Sequence, residues 1–584
     1  MLKLLKYLNA KEWILLVVTL AFLALQVWCN ISIPECTLKI SQYLEMQSIA
    51  AFWKDIVWVC VQMLLYAVGV VICAIIAQFL TSFVISSLLA KVRSKVFANV
   101  NNFSASEINK FSIPSLITRC TNDITQLQQV YTSSITLGLT APLTAIFAII
   151  RIVGLSRQYN ASALTWVNVV SVAAIIFLVS LIVILLLPKF KKVQTGTDKL
   201  NKVTRENLTG LKVVRAVGAE KQQEEKFENV NNRFTKLEFF IDKVLMLIEP
   251  AMSIIMQGTS LAIVWVIGLI AGQNPAVTEV IATFTQYSMF IIMGFTSLSI
   301  LFMLVPRGIV SAKRINEVLN TKSSLQDGKH DEQLTQNKGT IEFKNVSFRY
   351  PEADADVLEN ISFSVSQGQT VAFIGSTGSG KSTLINLIPR FYDCSEGQIF
   401  VGGRDVKDYS QHALHQMIGY VPQKGLLFSG TVKSNIKYGK EDASDEEIAK
   451  AIDISQSGFV YQLPNGLDYH ISQGGKNVSG GQKQRLSIAR AIIKNPDILI
   501  FDDSFSALDY KTDKIVRKNL NKAYKNTTKL IVAQRIGTIM NADQIIVLDQ
   551  GKMVGKGKHK ELLKTCKVYR EIALSQLSEE ELAK

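Results

Sequence analysis

The stretch GSTGSGKST, Gly375 to Thr383, decides how the second half of this 584-residue chain folds. It fits the pattern G-x-x-x-x-G-K-[ST]. The apolar run Thr370–Ile374 precedes it, and LINLIPRFY follows with helical spacing. A strand, a Gly-rich turn and a helix in that order form a cradle for phosphate. Gly375, Gly378 and Gly380 let the backbone come close to phosphate oxygens. The N–H groups of the loop, Ser376, Thr377, Ser379 and Thr383 among them, attract the anion together with the helix N-terminus. Lys381 is placed to meet the β- and γ-phosphates of a nucleotide, and Ser382 to ligate Mg²⁺.

Two further stretches belong with this loop. ILIFDD reads as a buried strand ending in Asp502, which can hold Mg²⁺ from the side opposite Ser382. VSGGQKQRLSIARA, Val478 to Ala491, opens with Ser479, Gly480, Gly481 and Gln482 at a predicted helix start, a second anion site. Two phosphate-binding elements in one domain are redundant unless two such domains pair head-to-tail. Each second element then closes over the other domain's nucleotide.

Outward from the loop, short β-branched runs (TIEFKNVSF, KLIVAQ, QIIVLD) alternate with helical patterns from Thr340 onward. That alternation predicts an α/β domain on a largely parallel sheet. Before it lies a polar stretch rich in Gln and Lys, Thr321 to Gly339, which reads as a linker. The first half has another texture. Hydrophobic residues make up 48% of the chain although 19% are charged, and the mean hydropathy is +0.22. An apolar half and a polar half reconcile these numbers.

A bilayer core needs about 20 apolar residues per helix. Runs of that kind occur near Trp13–Ile33, Ile56–Phe83, Ile135–Gly154, Ser162–Leu187, Val244–Gly272 and Val280–Val305. Met1–Lys11 is basic and precedes the first run. No small-residue cleavage site closes that run, so a retained first membrane helix is predicted rather than a secretory signal. Short turns near Leu155–Ala161 and Gly272–Glu279 carry little or no positive charge. The long connections Lys91–Tyr131 and Lys189–Lys243 are rich in Lys and Arg. The positive-inside rule puts these connections and both termini in the cytoplasm. Their apolar periodicity predicts helices running out of the membrane and back, each with an exposed knob at its tip. The net charge of +15 follows from these loops, so nucleic acid is not an expected partner. Cys29, Cys60 and Cys73 lie in apolar runs, and a pairing of Cys29 with Cys36 is left open.

Taken together, these motifs resemble the nucleotide-binding domain of the ABC transporter superfamily, and VSGGQ is similar to that family's signature. The resemblance covers essentially the whole chain. It implies an all-α six-helix transmembrane domain (1–320), a linker (321–339) and an α/β P-loop ABC domain (340–584). It implies ATP and Mg²⁺ as ligands, with the two knobs as coupling helices. Tyr350 in SFRYP matches the aromatic residue that stacks on adenine. Gln423 in YVPQ matches the glutamine that touches Mg²⁺ and the attacking water. Asp509 in SALD matches the loop exchanged across the dimer.

Two positions depart from the family pattern. Competent members carry a glutamate after the magnesium aspartate, and here Asp503 stands there. They carry a histidine where Gln534 stands in IVAQRIGTI. Aspartate withdraws the base by about 1 Å, a misplacement that can cost about 100-fold. Gln534 can still donate to a γ-phosphate oxygen but cannot exchange a proton near neutral pH. The pattern resembles the degenerate-site subunit of a heterodimeric bacterial multidrug-type exporter in the cytoplasmic membrane. A homodimer with two slow sites, or an ATP-gated regulatory subunit, is the alternative.

The resemblance implies a hydrophobic or amphipathic small molecule as cargo. In the last membrane run, Gln286, Tyr287, Phe290 and Met293 are candidate contacts, as adaptable aromatic and thioether surfaces. Glu249, beside Pro250 in the fifth run, is a candidate intramembrane carboxylate. A wetted structural place near the cytoplasmic end is equally open to it.

Overall fold

The computed structural model describes residues 1–45, 49–272, 275–332, 337–351 and 353–577. The chain divides into two compact units, Met1–Asn101 with Pro114–Thr321, and Asn102–Ile113 with Lys322–Lys584.

The first unit is helical. Its helices are α1 (Ala10–Glu45) and α2 (Ile49–Asn101), then, beyond a short α3 (Ala105–Phe111), α4 (Ile113–Cys120), α5 (Asn122–Gln158), α6 (Ser162–Ala216), α7 (Glu220–Met246), α8 (Ile248–Ala271) and α9 (Ile281–Asn320). Among the described residues, six segments are long and apolar enough to cross a membrane. As expected, α2 and α6 run well past their apolar stretches, which leaves polar ends outside any hydrocarbon layer. The fifth segment is interrupted at Leu247, with Pro250 in the first turn of α8, where its missing N–H costs little. Pro142 and Pro306 lie inside unbroken helices. The outer turn after α5 is shorter than expected, because α5 continues to Gln158. Gln273 and Asn274 of the next turn lie outside the described residues.

Packing between α5 and α9 is close. A Cβ on Gly294 would sit 2.9 Å from the carbonyl oxygen of Ala141, so only glycine permits this backbone approach. Phe284, Tyr287 and Ile291 of α9 are buried with Ala148 and Ile152 of α5 and Ile263 and Ile267 of α8. Toward the polar ends, charges join the helices. Asp123 is 2% exposed, accepts from Ser311 and pairs with Arg314 at 3.3 Å. Arg119 pairs with Glu317 at 3.0 Å.

The second unit is built on strands β1 (Ile341–Phe348), β2 (Leu358–Val365), β3 (Thr370–Gly375), β4 (Glu396–Val401), β5 (Arg404–Asp405), β6 (Ile418–Val421), β7 (Gly430–Thr431), β8 (His470–Ile471), β9 (Ile498–Asp502), β10 (Thr528–Val532), β11 (Gln544–Asp549) and β12 (Lys552–Gly557). One antiparallel sheet has the order β2-β1-β4-β5. The main sheet has the order β12-β11-β3-β10-β9-β6. In the main sheet β11, β3, β10, β9 and β6 pair in parallel, and only β12 runs against them. The central strands are buried on both faces, which is why they read as continuous apolar runs. Helices α10 (Lys381–Leu387), α11 (Gln411–Met417), α12 (Val432–Lys437), α13 (Asp445–Ile454), α14 (Gly480–Ile492), α15 (Tyr510–Ala523), α16 (Ile536–Ile539), α17 (His559–Thr565) and α18 (Lys567–Leu574) complete the unit.

The polar stretch after α9 lies along this unit, with Gly328 and His330 hydrogen-bonded to Tyr409 and Asp408. Residues 333–336 of it lie outside the described residues. The short helix α3 also belongs to this unit. Burial opposes ionisation of Glu107, but donors from Ser104 and Ser324 outweigh it and hold the carboxyl below its ordinary range.

Candidate active site

Parallel strands gather their loops at one edge, and the functional groups of an open α/β sheet collect there. The register explains which residues meet. Val532 of β10 lies opposite Asp502 of β9 and Phe373 of β3, and Val421 of β6 lies opposite Phe501. The chain beyond each strand therefore brings the Gly375–Thr383 loop, Asp502, Asp503, Gln534 and Gln423 to the same edge.

The loop has the geometry its sequence predicts. Gly380 has φ 92°, and a Cβ there would sit 2.7 Å from a methyl of Leu358, so glycine is required twice over. Ser376, Thr377 and Gly378 form the exposed crown, while Ser379 is buried. The Lys381 ammonium lies inside the loop, donating to the carbonyls of Gly375 at 2.9 Å and Ser376 at 2.7 Å. Burial pushes the lysine below its ordinary range, against the opposing pull of Asp503 and Asp502. Ser382 Oγ donates to Asp502 Oδ1 at 2.7 Å. A hydroxyl and a carboxylate as neighbours are hard oxygen donors of the kind Mg²⁺ takes beside phosphate oxygens and water. These two residues fit the ion.

Asp503 is the centre of the arrangement. It leaves β9 with φ 46°, a left-handed backbone that an aspartate tolerates at a cost. Its Oδ2 accepts from Gln534 Nε2 at 2.9 Å and from Gln423 Nε2 at 3.3 Å. Burial raises its carboxyl above the usual range, opposed by the Gln423 and Ser506 hydrogen bonds and the charges of Lys381 and Arg535. Asp502 is raised as well, by burial first and by its neighbour Asp503. Gln423, Asp503 and Gln534 thus form one hydrogen-bonded group.

Tyr350 packs edge-on against Phe348 and Tyr392, and its hydroxyl lies 3.0 Å from Thr383 Oγ1. Ser479 opens α14 in a reciprocal capping box with Gln482, which orders that helix start. Ser479 and Gly480 are exposed, Gly481 and Gln482 half-buried. Asp509 caps α15 by accepting from Thr512 N–H at 2.9 Å.

The cargo candidates do not converge. Gln286, Phe290 and Met293 share one stripe of α9 by their spacing. Tyr287 faces the packed interior instead, its hydroxyl donating to the Ile31 carbonyl at 3.1 Å. Glu249 is exposed in the first turn of α8, one turn before Met252, which meets Thr296 about 15 Å along α9 from Gln286 at the helical rise of about 1.5 Å per residue.

Four groups escaped the sequence. Tyr420 donates to Asn386 at 3.0 Å and reaches Asp502 at 3.5 Å. It stands in the same YVPQ run as Gln423, which was the available signal. The Asn109 side chain of α3 lies beside the Tyr392 hydroxyl, so the segment after α2 reaches the aromatic pair at Tyr350. Gln576 binds the backbone on both sides of Arg535. In the membrane unit, Arg151 of α5 pairs with Glu35 of α1 at 2.6 Å. The signal of Arg151 was a charge within an apolar run. Cys29 and Cys36 are both free thiols of α1.

A Gly-rich loop between strand and helix, with an acid from a nearby strand end, defines a P-loop nucleotide site. Here it shares a chain with six candidate membrane spans. The comparisons agree with this class. Residues 16–295 match the ABC transporter transmembrane region and residues 358–506 the ABC transporter domain. An uncharacterised ABC transporter ATP-binding protein of Mycobacterium bovis is 37% identical over 511 residues, 87% of each chain. An ATP-dependent lipid A-core flippase of Desulfotalea psychrophila is 32% identical over 487 residues, 82% of each chain. The solved structure of a bacterial Atm1-family ABC exporter with ATP bound shares the fold, with a TM-score of 0.80, 24% identity, and 97% of this chain and 99% of that one covered. The chain belongs to the ABC transporter family. It is a multi-pass membrane protein with the exporter arrangement, a transmembrane region joined to an ATPase domain.

Proposed function

We propose that this chain is the degenerate-site subunit of a heterodimeric ABC exporter that moves hydrophobic or amphipathic small molecules out across the cytoplasmic membrane. Residues 1–320 form the transmembrane domain, 321–339 the linker and 340–584 the nucleotide-binding domain, which lies with both termini in the cytoplasm. The observation that carries this reading is the double amide clamp on Asp503. A general base needs a lone pair aimed at the attacking water. Here one carboxylate oxygen is already engaged by two glutamines, on a side chain a methylene shorter than glutamate.

The binding machinery is complete by contrast. Gly375–Thr383 cradles the phosphates of ATP, Ser382 and Asp502 hold Mg²⁺ with Gln423 beside them, and Tyr350 meets the adenine. The Ser479–Gln482 start of α14, exposed at Ser479 and Gly480, and Asp509 serve a second half-transporter, whose competent site they complete. An amphipathic cargo suits the stripe Gln286, Phe290 and Met293. The name of the 32% identical flippase supports a lipid-like class. Glu249 and Tyr287 stand as weaker cargo candidates.

The purified chain alone, reconstituted in lipid, is expected to retain ATP and turn it over negligibly. Robust ATPase without a partner overturns the proposal. Slow turnover by a particle containing only this chain favours a homodimer with two slow sites.

A further inference from the structure

Helix α16 begins immediately after the Gln534 loop, and its first backbone N–H groups have no partner within the helix. Arg535 precedes it and supplies no side-chain cap. The acceptor comes from the far end of the chain. Gln576 Oε1 accepts from Ile536 N–H at 2.8 Å, and Gln576 Nε2 donates to the Gln534 carbonyl at 2.7 Å. The amide orientation is fixed by its partners, because an N–H must face the oxygen and a carbonyl the NH₂.

The helix that presents Gln576 is itself anchored. Tyr569 of α18 is fully buried, and its hydroxyl lies 2.6 Å from His559 Nδ1 at the start of α17. Ala573 is buried too, and α18 packs on β3, the strand that leads into the phosphate loop. Gln576 itself is exposed, so burial of its own side chain does not hold it where it is. Its backbone is held by an N–H bond to the Ala573 carbonyl and by Leu577 packing on the core, and its side chain by the two hydrogen bonds.

We propose that Gln576 is a positioning residue for the nucleotide site, bracing the backbone around Gln534 so that the Gln534 amide is held between Asp503 and the γ-phosphate. This rests on the reading of Gln534 as a nucleotide contact. The brace acts on the loop and not on the nucleotide. Only a side-chain amide of this length offers adjacent donor and acceptor across a peptide step. A leucine or lysine here would leave the Ile536 N–H without its partner and the loop free to shift.

The test is release of labelled ATP, with Mg²⁺ present, from the full-length chain in the complex in which it purifies. Gln576→Ala is expected to release ATP about tenfold faster, the effect of about one lost net hydrogen bond. Gln534→Ala is expected to do the same, and the double variant to be no faster than Gln534→Ala alone. Gln576→Glu keeps the acceptor for Ile536 but faces the Gln534 carbonyl with a carboxylate. It is expected to fall between wild type and Gln576→Ala, and it serves if the alanine variant fails to fold. Wild-type release from the Gln576 variants beside fast release from Gln534→Ala overturns the proposal alone. So does an additive double variant, or a lowered thermal midpoint with unchanged release. Wild-type release from Gln534→Ala overturns the underlying reading, and the proposal with it.

Discussion

Asp503→Glu combined with Gln534→His is expected to raise hydrolysis of the ATP held at this chain's own phosphate loop by about 100-fold. The extra methylene returns the carboxylate by about 1 Å toward the place of the attacking water, and near-attack geometry of that kind governs rate steeply. Histidine replaces one of the two amides that now bind Asp503 Oδ2. It can donate to a γ-phosphate oxygen and also exchange a proton near neutral pH, which glutamine cannot. Each substitution alone is expected to give a smaller gain, because the remaining member keeps half of the present arrangement. Glutamate alone remains held by Gln423 and Gln534, and histidine alone serves a base that is still short. The left-handed backbone at Asp503 bears on the first step. Glutamate is a less natural occupant of that conformation than aspartate, so some of the gain is offset by strain. The measurement is single-turnover conversion of ATP trapped at this site to ADP in the purified complex. Turnover no faster than wild type in the double variant would mean that neither position limits catalysis here.

The sequence made the phosphate loop legible because each of its parts is local. A strand of β-branched residues, three glycines and a Lys-Ser pair occupy consecutive positions, and their roles do not depend on distant packing. The membrane segments were legible for the same reason, since hydrophobic length is a local property. What escaped was made by register and by chain ends. Tyr420 meets Asp502 only because β6 pairs with β9 in parallel. Gln576 meets the Gln534 loop across 42 residues, through a helix whose anchor is the His559–Tyr569 contact. The joining of α3 to the ATPase unit is also long-range, made by Asn109 with Tyr392 and by Glu107 with Ser324. No period or motif announces such pairs. The cargo candidates show how packing adds to a local reading. Tyr287 reads locally as a contact residue, but helix packing turns it inward to the Ile31 carbonyl.

Ser479→Ala is expected to lower the steady-state ATPase of the complex by about 100-fold while leaving ATP bound at this chain's own loop. The hydroxyl has two roles. Within the chain it accepts from Gln482 N–H and closes the capping box, and its loss costs about 1 kcal/mol of local helix stability. That is too little to unfold a domain of ordinary stability. In the proposed head-to-tail pair it is an exposed donor, beside the N–H groups of Gly480 and Gly481, toward a second half-transporter. Removing one preorganised donor from a developing anionic transition state costs about 100-fold or more. Lys381→Ala should give the reverse pattern. The ammonium inside the phosphate loop is lost, so nucleotide retention by this chain falls sharply, while the site completed by Ser479 continues to turn over at a reduced rate. The two variants together therefore separate the halves of the proposal, with retention read by labelled ATP and turnover by phosphate release. If Ser479→Ala empties this chain's own loop and spares the ATPase of the complex, the signature serves its own chain. A head-to-tail pair would then be the wrong arrangement, because α14 can complete a site elsewhere only if its exposed N-terminus faces another subunit's nucleotide.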